Sequence, residues 1–282
     1  GVLGGGGGIA ARPLVRTLVR LERDDDVRAV VLRIDSPGGS ALASDLIWHE
    51  LMTLRSKKAL VVSIGDMAAS GGYYLASAGA TVFADDTSIV GSIGVVGGKI
   101  AADHALEKIG VHAETFPAKS GDPGAAARAG SESLLTPWDP QTRARVLETM
   151  TGIYDLFLSR VSEGRNIPVA RVAESAEGRI FSGRDGASRG LVDELGGLRE
   201  AIARARTMAG LAPDARFEIV QRAGGVLGAI AGDEAKSQAK DAILTRVLAP
   251  GASTLRPLLA SLSPLTSGET ALCALPFALT IR

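Results

Sequence analysis

Two short apolar runs rich in β-branched residues, Val27 to Ile34 (VRAVVLRI) and Leu60 to Ile64 (LVVSI), each give way to a cluster of small residues and then to a helical pattern. This order constrains the chain more than any other feature. Runs of this kind, bounded by turn residues and separated by one helix, predict buried parallel strands of an α/β fold. The first run ends at Ser36-Pro37-Gly38-Gly39, read as a turn that opens a helix over Ser40 to Leu54, with Leu42, Leu46, Ile47, Leu51 and Leu54 on one face. The second ends in Asp66-Met67-Ala68-Ala69-Ser70-Gly71-Gly72, followed by a helical segment over Tyr73 to Ala80.

Further elements follow from the same periodicities. A helix is predicted over Pro13 to Arg23, strands over Thr81 to Ala84, Ile89 to Val96 and Val111 to Phe116, and a helix over Ala101 to Ile109. Pro117 to Ser133 reads as a Gly/Ala/Ser-rich loop. Asp139 to Gly164 is the longest amphipathic helix, with Val146, Met150, Ile153, Phe157 and Val161 on its apolar stripe. Turns and a helix continue to about Gly210, and Ala271 to Ile281 reads as a terminal strand. The expected organisation is a Gly-rich N-terminal remnant over 1–12, a core domain over 13–210, and a C-terminal appendage over 211–282.

Composition narrows the chemistry. The 31 basic residues balance 31 acidic ones, and no local basic stripe compensates, so nucleic acid is not an expected partner. One cysteine excludes an intrachain disulfide framework and any thiolate-rich metal site, and 3 histidines leave little for zinc, so no metal or other cofactor is expected. The opening GVLGGGGGIAARP has neither the charged nor the apolar region of a signal peptide, and no stretch approaches the length of a bilayer span. The chain is therefore expected to be a processed form or a fragment, with any anchor outside it.

A serine between small residues just after a buried strand suits a nucleophile, because the turn lifts its hydroxyl clear and lets a substrate backbone approach. Ala68-Ala69-Ser70-Gly71-Gly72 resembles such an elbow, with alanine at its first position. The same residues also suit a serine that only satisfies backbone groups in a turn. The Gly38-Gly39 pair and the N–H of Gly71 could together hold an oxyanion, although Pro-Gly-Gly also serves as a plain connection. For the base, a Ser70–His104–Asp139 relay is open. So is Lys119, which stands in Phe116-Pro117-Ala118-Lys119-Ser120-Gly121 among small and apolar neighbours; a lysine serves only if its pKa is pulled down from about 10.4.

Taken together, the segments Arg33-Ile34-Asp35-Ser36-Pro37-Gly38-Gly39, Ala69-Ser70-Gly71-Gly72-Tyr73-Tyr74, Gly91-Ser92-Ile93-Gly94-Val95, Lys119-Ser120, Gly178-Arg179-Ile180-Phe181-Ser182-Gly183 and Gly190-Leu191-Val192-Asp193 resemble the signal peptide peptidase A (protease IV) family, in the family's order. The resemblance covers about Pro13 to Leu211. It implies a Clp/crotonase-like α/β fold, with a largely parallel sheet flanked by helices, and a serine peptidase with a Ser/Lys dyad. It implies Ser70 as nucleophile, Lys119 as general base, Ser92 as the residue orienting the lysine, and Gly38, Gly39 and Gly71 at the oxyanion hole. Because Ser70 and Lys119 lie in one unit, the chain looks like the short, self-contained type. The resemblance further implies apolar peptides such as signal-peptide remnants as substrates, a membrane surface as partner, assembly into a homo-oligomer, and a place on the extracytoplasmic side of the bacterial cell membrane. The family's usual first strand is missing or shortened, and the tail beyond Leu211 exceeds the core motifs. Two other classes stand beside this one. A crotonase-like acyl-CoA enzyme would share the fold but need an adenine/phosphate site and catalytic carboxylates, and an inactive membrane-associated scaffold would need neither dyad member.

Overall fold

The computed structural model of the chain describes residues 11–99, 101–112, 116, 124–131, 133, 135–220 and the backbone of 272–274. Helix α1 (Ala11–Arg23) leads into strand β1 (Ala29–Ser36), the three-residue strand β2 (Gly38–Ser40), helix α2 (Ala41–Lys57) and the long strand β3 (Ala59–Ala69). Then come α3 (Gly71–Ala76), β4 (Thr81–Ala84), β5 (Ile89–Gly91), α4 (Asp103–Glu107), α5 (Ala125–Ala129) and α6 (Pro140–Arg165). The series closes with α7 (Val169–Ala173), β6 (Ile180–Ser182), α8 (Gly183–Ser188), β7 (Glu194–Leu195), α9 (Leu198–Met208) and β8 (Leu272–Ala274).

The expected parallel α/β architecture is present. β3 is the central strand of a 6-stranded sheet: it pairs in parallel with β1, β4 and β5, β7 adds in parallel to β4, and only β6 runs antiparallel, on β5. Alternation along β3 sends side chains to both faces. Leu60, Val62 and Ile64 enter the main core with Ile47, Trp48, Leu51 and Leu54 of α2 and with Phe157 and Val161 of α6. Val61 instead packs with Phe83, Ala201 and Ala205 beneath α9. Leu51, Leu54, Leu60 and Val62 are 0% exposed, and burial of each such side chain contributes about 1.5–3 kcal/mol before entropy is counted. Across the main core Tyr74 stacks on Phe157 with ring centroids 4.5 Å apart.

Several sequence expectations are corrected. β3 does not stop at Ile64 but runs to Ala69, because β1 and β5 both pair with its far half, Ser36 opposite Ala68 and Gly91 opposite Ala69. Gly38 and Gly39 do not form a helix-opening turn. They pair as part of β2, with Gly38 at φ 116°, and Ser40 behind them caps α2 by accepting from the Ala43 N–H. The strand expected over Ile89 to Val96 ends at Gly91, since Ser92 turns to φ 52°. Val111, His112 and Phe116 are not in a strand, and the expected loop holds the short helix α5. The stripe on α6 is only half used: Phe157 and Val161 are buried, whereas Val146, Met150 and Ile153 are half-exposed. Of the terminal strand expected over Ala271 to Ile281, Leu272–Ala274 is extended, and the rest lies outside the described residues. No helix among the described residues is long and apolar enough to cross a membrane.

Candidate active site

The C-terminal ends of β1, β3 and β5 converge, and the sharing of register there decides which side chains meet. Ala69 of β3 lies opposite Gly91 of β5, so Ser70 and Ser92 each stand one residue beyond a paired position. The Ser70 N–H donates to the Gly91 carbonyl at 2.8 Å, locking the two strand ends together. Ser70 has φ 53° and ψ −119°, a conformation that costs a non-glycine residue about 1–3 kcal/mol and persists only where its surroundings impose it. Ser92 is held in the left-handed region as well. Both hydroxyls are buried, and neither Oγ has a hydrogen-bond partner among the described residues. Buried polar atoms are nearly always satisfied, so two unsatisfied hydroxyls at adjoining strand ends mark a place where a partner is meant to arrive.

Ser92 is positioned from the far end of the sequence. Its N–H donates to the Arg179 carbonyl at 2.7 Å, and β6 just beyond Arg179 pairs with β5. Gly178 donates back to the Ile93 carbonyl. The Gly-Arg-Ile-Phe-Ser-Gly segment thus acts as a brace for Ser92, a role its residue types alone do not disclose. The Gly-Leu-Val-Asp segment braces the sheet: Asp193 accepts the Val82 N–H at 2.7 Å and holds the Arg165 guanidinium by two bonds of 2.6 and 2.8 Å. Burial disfavours the Arg165 charge, yet Tyr73 and Asp193 outweigh it and hold its pKa above the ordinary arginine value. Burial pushes the Tyr73 hydroxyl up, and it donates to the Leu191 carbonyl at 2.8 Å.

Gly71 opens α3 directly after Ser70. A Cβ there would stand 2.7 Å from Ser44 Oγ, 3.1 Å from Gly39 N and 3.4 Å from Gly38 Cα, so β2 lies against the residue following the serine. Gly72 is equally confined, with the Ser36 carbonyl oxygen 2.6 Å from its own would-be Cβ. The structure therefore brings Ser70, Ser92, Gly71, Gly38 and Gly39 into one neighbourhood. Lys119 lies outside the described residues. Lys99 is committed elsewhere, donating to the carbonyls of Gly130, Ser131 and Ser133. Sequence reasoning missed Ser44, which is buried and donates to the Ser40 carbonyl beside Gly71, and the group around Asp45, which accepts from Tyr74 Oη and Arg160 Nε.

The histidine relay is overturned. The His104 side chain is 88% exposed and faces Glu107 at 3.4 Å. Asp139 is the N-cap of α6, accepting the Thr142 N–H at 2.7 Å, and that bonding holds its carboxyl below the usual range. Neither is available to Ser70, whose hydroxyl is buried. Among the described residues no group of three His, Cys, Asp or Glu side chains could hold a metal ion.

A parallel α/β sheet that presents a strained, buried serine at its C-terminal edge, with glycine backbone packed beside it, defines a Clp-type peptidase fold, and the Clp protease family model matches residues 9–90. The model of peptidase family S49 matches residues 52–212, and the chain belongs to that family, the serine peptidases of the protease 4 and SppA type. It is 36% identical over 216 residues to the chloroplastic serine protease SPPA of Arabidopsis thaliana, covering 77% of this chain and 31% of that protein. It is 35% identical over 196 residues to Protease 4 of Haemophilus influenzae (69% and 31%) and 33% identical over 189 residues to Protease 4 of Salmonella typhi (67% and 29%). The chain thus spans less than a third of the length of each of these relatives.

Proposed function

We propose that the chain is a serine endopeptidase in which Ser70 is the nucleophile and Lys119 the general base, its domain spanning residues 13–210. The observation that carries this reading is the pair of buried, unpartnered hydroxyls of Ser70 and Ser92 at adjoining strand ends. Ser70 Oγ attacks a peptide carbonyl while neutral Lys119 takes the hydroxyl proton. The developing oxyanion is stabilised by backbone N–H groups of Gly71 and of Gly38 or Gly39. Lys119 then protonates the leaving amine; in the second half it takes a proton from the water that attacks the acyl-enzyme and passes it to Ser70 Oγ as the acid product leaves, which restores the serine hydroxyl and the neutral lysine. Ser92, whose Oγ has no hydrogen-bond partner among the described residues, orients the lysine ammonium. The substrates are apolar peptides such as signal-peptide remnants. The enzyme works as a homo-oligomer at the extracytoplasmic face of the bacterial cell membrane. The half-used stripe of α6 and the exposed Leu42 and Leu46 of α2 suit subunit contacts.

The test is turnover of an apolar fluorogenic peptide together with labelling by a serine-directed fluorophosphonate. Ser70→Ala should abolish both, and Lys119→Ala should abolish turnover in a protein that still melts cooperatively. The rate should fall as pH drops, with an apparent pKa well below that of free lysine. If Lys119→Ala kept most of the activity, the assignment of the base would be wrong. If fluorophosphonate labelled no serine, the peptidase reading itself would fail.

A further inference from the structure

Ser70 is pinned on both sides of its strained backbone. Its N–H donates to the Gly91 carbonyl at 2.8 Å, and its own carbonyl accepts the Tyr74 N–H at 2.8 Å. The second bond bears on the chemistry, because the Ser70 carbonyl and the Gly71 N–H belong to one planar peptide unit and point in opposite directions. Whatever fixes the Ser70 carbonyl therefore aims the Gly71 N–H, the donor assigned to the oxyanion. The bond from Tyr74 is the first turn of α3, but α3 has only 6 residues, and a helix that short does not sustain its own geometry. Its place has to be set by side chains.

Tyr74 is where those side chains meet. Its ring stacks on Phe157 of α6, and its Oη donates to Asp45 Oδ1 at 2.8 Å. The same oxygen accepts Arg160 Nε at 3.0 Å, and the Arg160 guanidinium lies over the Trp48 ring, 4.6 Å from its centroid. Trp48 Nε1 donates to Ser77 Oγ at 3.2 Å, and Ser77 Oγ donates to the Tyr74 carbonyl at 2.7 Å, which closes the circuit. Asp45 is the junction of this circuit: it stands on α2, and one of its oxygens holds both Tyr74 of α3 and Arg160 of α6. Tyr74, Trp48 and Ser77 are buried, and the Asp45 and Arg160 side chains are only partly exposed, so these bonds are weakly screened by solvent.

We infer that Asp45 is a positioning residue of the Ser70 site: through Tyr74 it holds the Ser70–Gly71 peptide so that the Gly71 N–H faces the developing oxyanion, a role that rests on the peptidase reading. An interaction that matters only once the oxyanion forms affects kcat and leaves KM alone. Misplacement of a reacting group by about 1 Å costs about 10²-fold. Asp45→Ala, which releases both Tyr74 and Arg160, should lower kcat by about that factor, and Tyr74→Phe, which keeps the stack on Phe157, by about tenfold. Asp45→Asn should rescue, because both bonds end on Oδ1 and an amide oxygen accepts two donors as a carboxylate oxygen does.

The experiment measures kcat and KM for an apolar fluorogenic peptide with the full chain as wild type, Asp45→Ala, Asp45→Asn and Tyr74→Phe, each well below its own melting temperature. A residue that only stabilises the fold leaves the rate of the folded protein unchanged under these conditions. Inhibition by an apolar peptide aldehyde adds a second readout: the Ser70 O–H adds across its carbonyl, and the resulting oxygen occupies the oxyanion hole. Its inhibition constant should rise in step with the loss of kcat. In the Ser70→Ala background, a fluorescein-labelled peptide of the substrate sequence should bind equally well with Asp45 or Ala at that position. Should Asp45→Ala fail to fold, Tyr74→Phe removes the same bond by deleting one oxygen and decides the matter with Asp45→Asn. Folded Tyr74→Phe with kcat within about threefold of wild type, a loss that appears in KM and peptide affinity instead of kcat, or an Asp45→Asn protein as slow as Asp45→Ala would overturn the inference. A wild-type chain inert to both the peptide and the fluorophosphonate would overturn the peptidase reading, and the inference with it.

Discussion

Replacing Gly71 by alanine tests whether the closeness of β2 to the serine elbow serves catalysis. The backbone of Gly71 is not in the left-handed region, so the substitution acts through space alone. The new methyl would meet Ser44 Oγ at 2.7 Å and Gly39 N at 3.1 Å. Ser44 can swing aside, but its Oγ is buried and donates to the Ser40 carbonyl at 2.9 Å, and losing that bond costs about 1 kcal/mol. Gly39 N is backbone and must retreat by a few tenths of an ångström. Together these place the loss of stability at about 1–3 kcal/mol, the usual cost of an extra methyl in a packed site. Against a total stability of about 5–15 kcal/mol, the protein stays almost entirely folded. Its rate should nonetheless fall about 10²–10³-fold, the loss expected when one oxyanion donor moves out of place. Urea melts give the first quantity, and kcat/KM with the fluorophosphonate labelling rate gives the second. A folded Gly71→Ala protein within threefold of wild-type activity would refute the assignment of Gly71 and β2 to the oxyanion hole. Gly71→Ala/Ser44→Ala separates the two contacts: it relieves the 2.7 Å clash but not the one at Gly39 N. Stability should recover only in part, because the bond from Ser44 to the Ser40 carbonyl is lost as well and the contact at Gly39 N stays, while the rate should not recover.

Three further outcomes are expected. Gly152 sits within α6 with nothing within 4 Å of a Cβ, so Gly152→Ala should raise stability by about 0.5–1 kcal/mol and shift the urea midpoint upward with an unchanged slope. Arg165→Ala strips a side chain only 4% exposed from Asp193 and should cost about 3 kcal/mol in urea melts; lysine at this position should rescue only in part, because it cannot reproduce the two-pronged contact. The Asp139 carboxyl, held down by its Thr142 bonds, binds its proton more weakly folded than unfolded. Its contribution is therefore present above the ordinary carboxylate range and lost as pH falls through the folded value, so the stability gap between wild type and Asp139→Ala should be widest near neutrality and close in acid.

What could be read from the chain, and what could not, follows the range of the interactions concerned. The strands at Val27 to Ile34, Leu60 to Ile64 and Thr81 to Ala84 were legible because each is an apolar run whose signal is local. Ser70 was legible for the same reason, as a serine among small residues at a strand end. The length of β3 was not, since Asp66 interrupts the apolar pattern, and the strand continues past it only because β1 and β5 supply partners. Nor was the exposure of His104, for a histidine on a short amphipathic helix gives no sign of which side it presents.

The Pro-Gly-Gly segment marks the limit most sharply. Glycine in a turn signal is read from the freedom it gives the chain, and here that reading placed Gly38 and Gly39 at the mouth of a helix. In the folded chain Gly38 does use that freedom, at φ 116°, but within β2, and the missing side chains also let one strand lie against Gly71 and pair with residues 272–274 at the same time. Neither contact has a local signature, because each depends on a partner distant in sequence. A side chain at Gly39 would meet nothing within 4 Å on its own account. Gly39→Ala should therefore be tolerated by the fold while adding a side chain to the strand that pairs with residues 272–274. If Gly39→Ala altered peptide affinity without altering the urea midpoint, the glycine at this position would be serving recognition and not the turn.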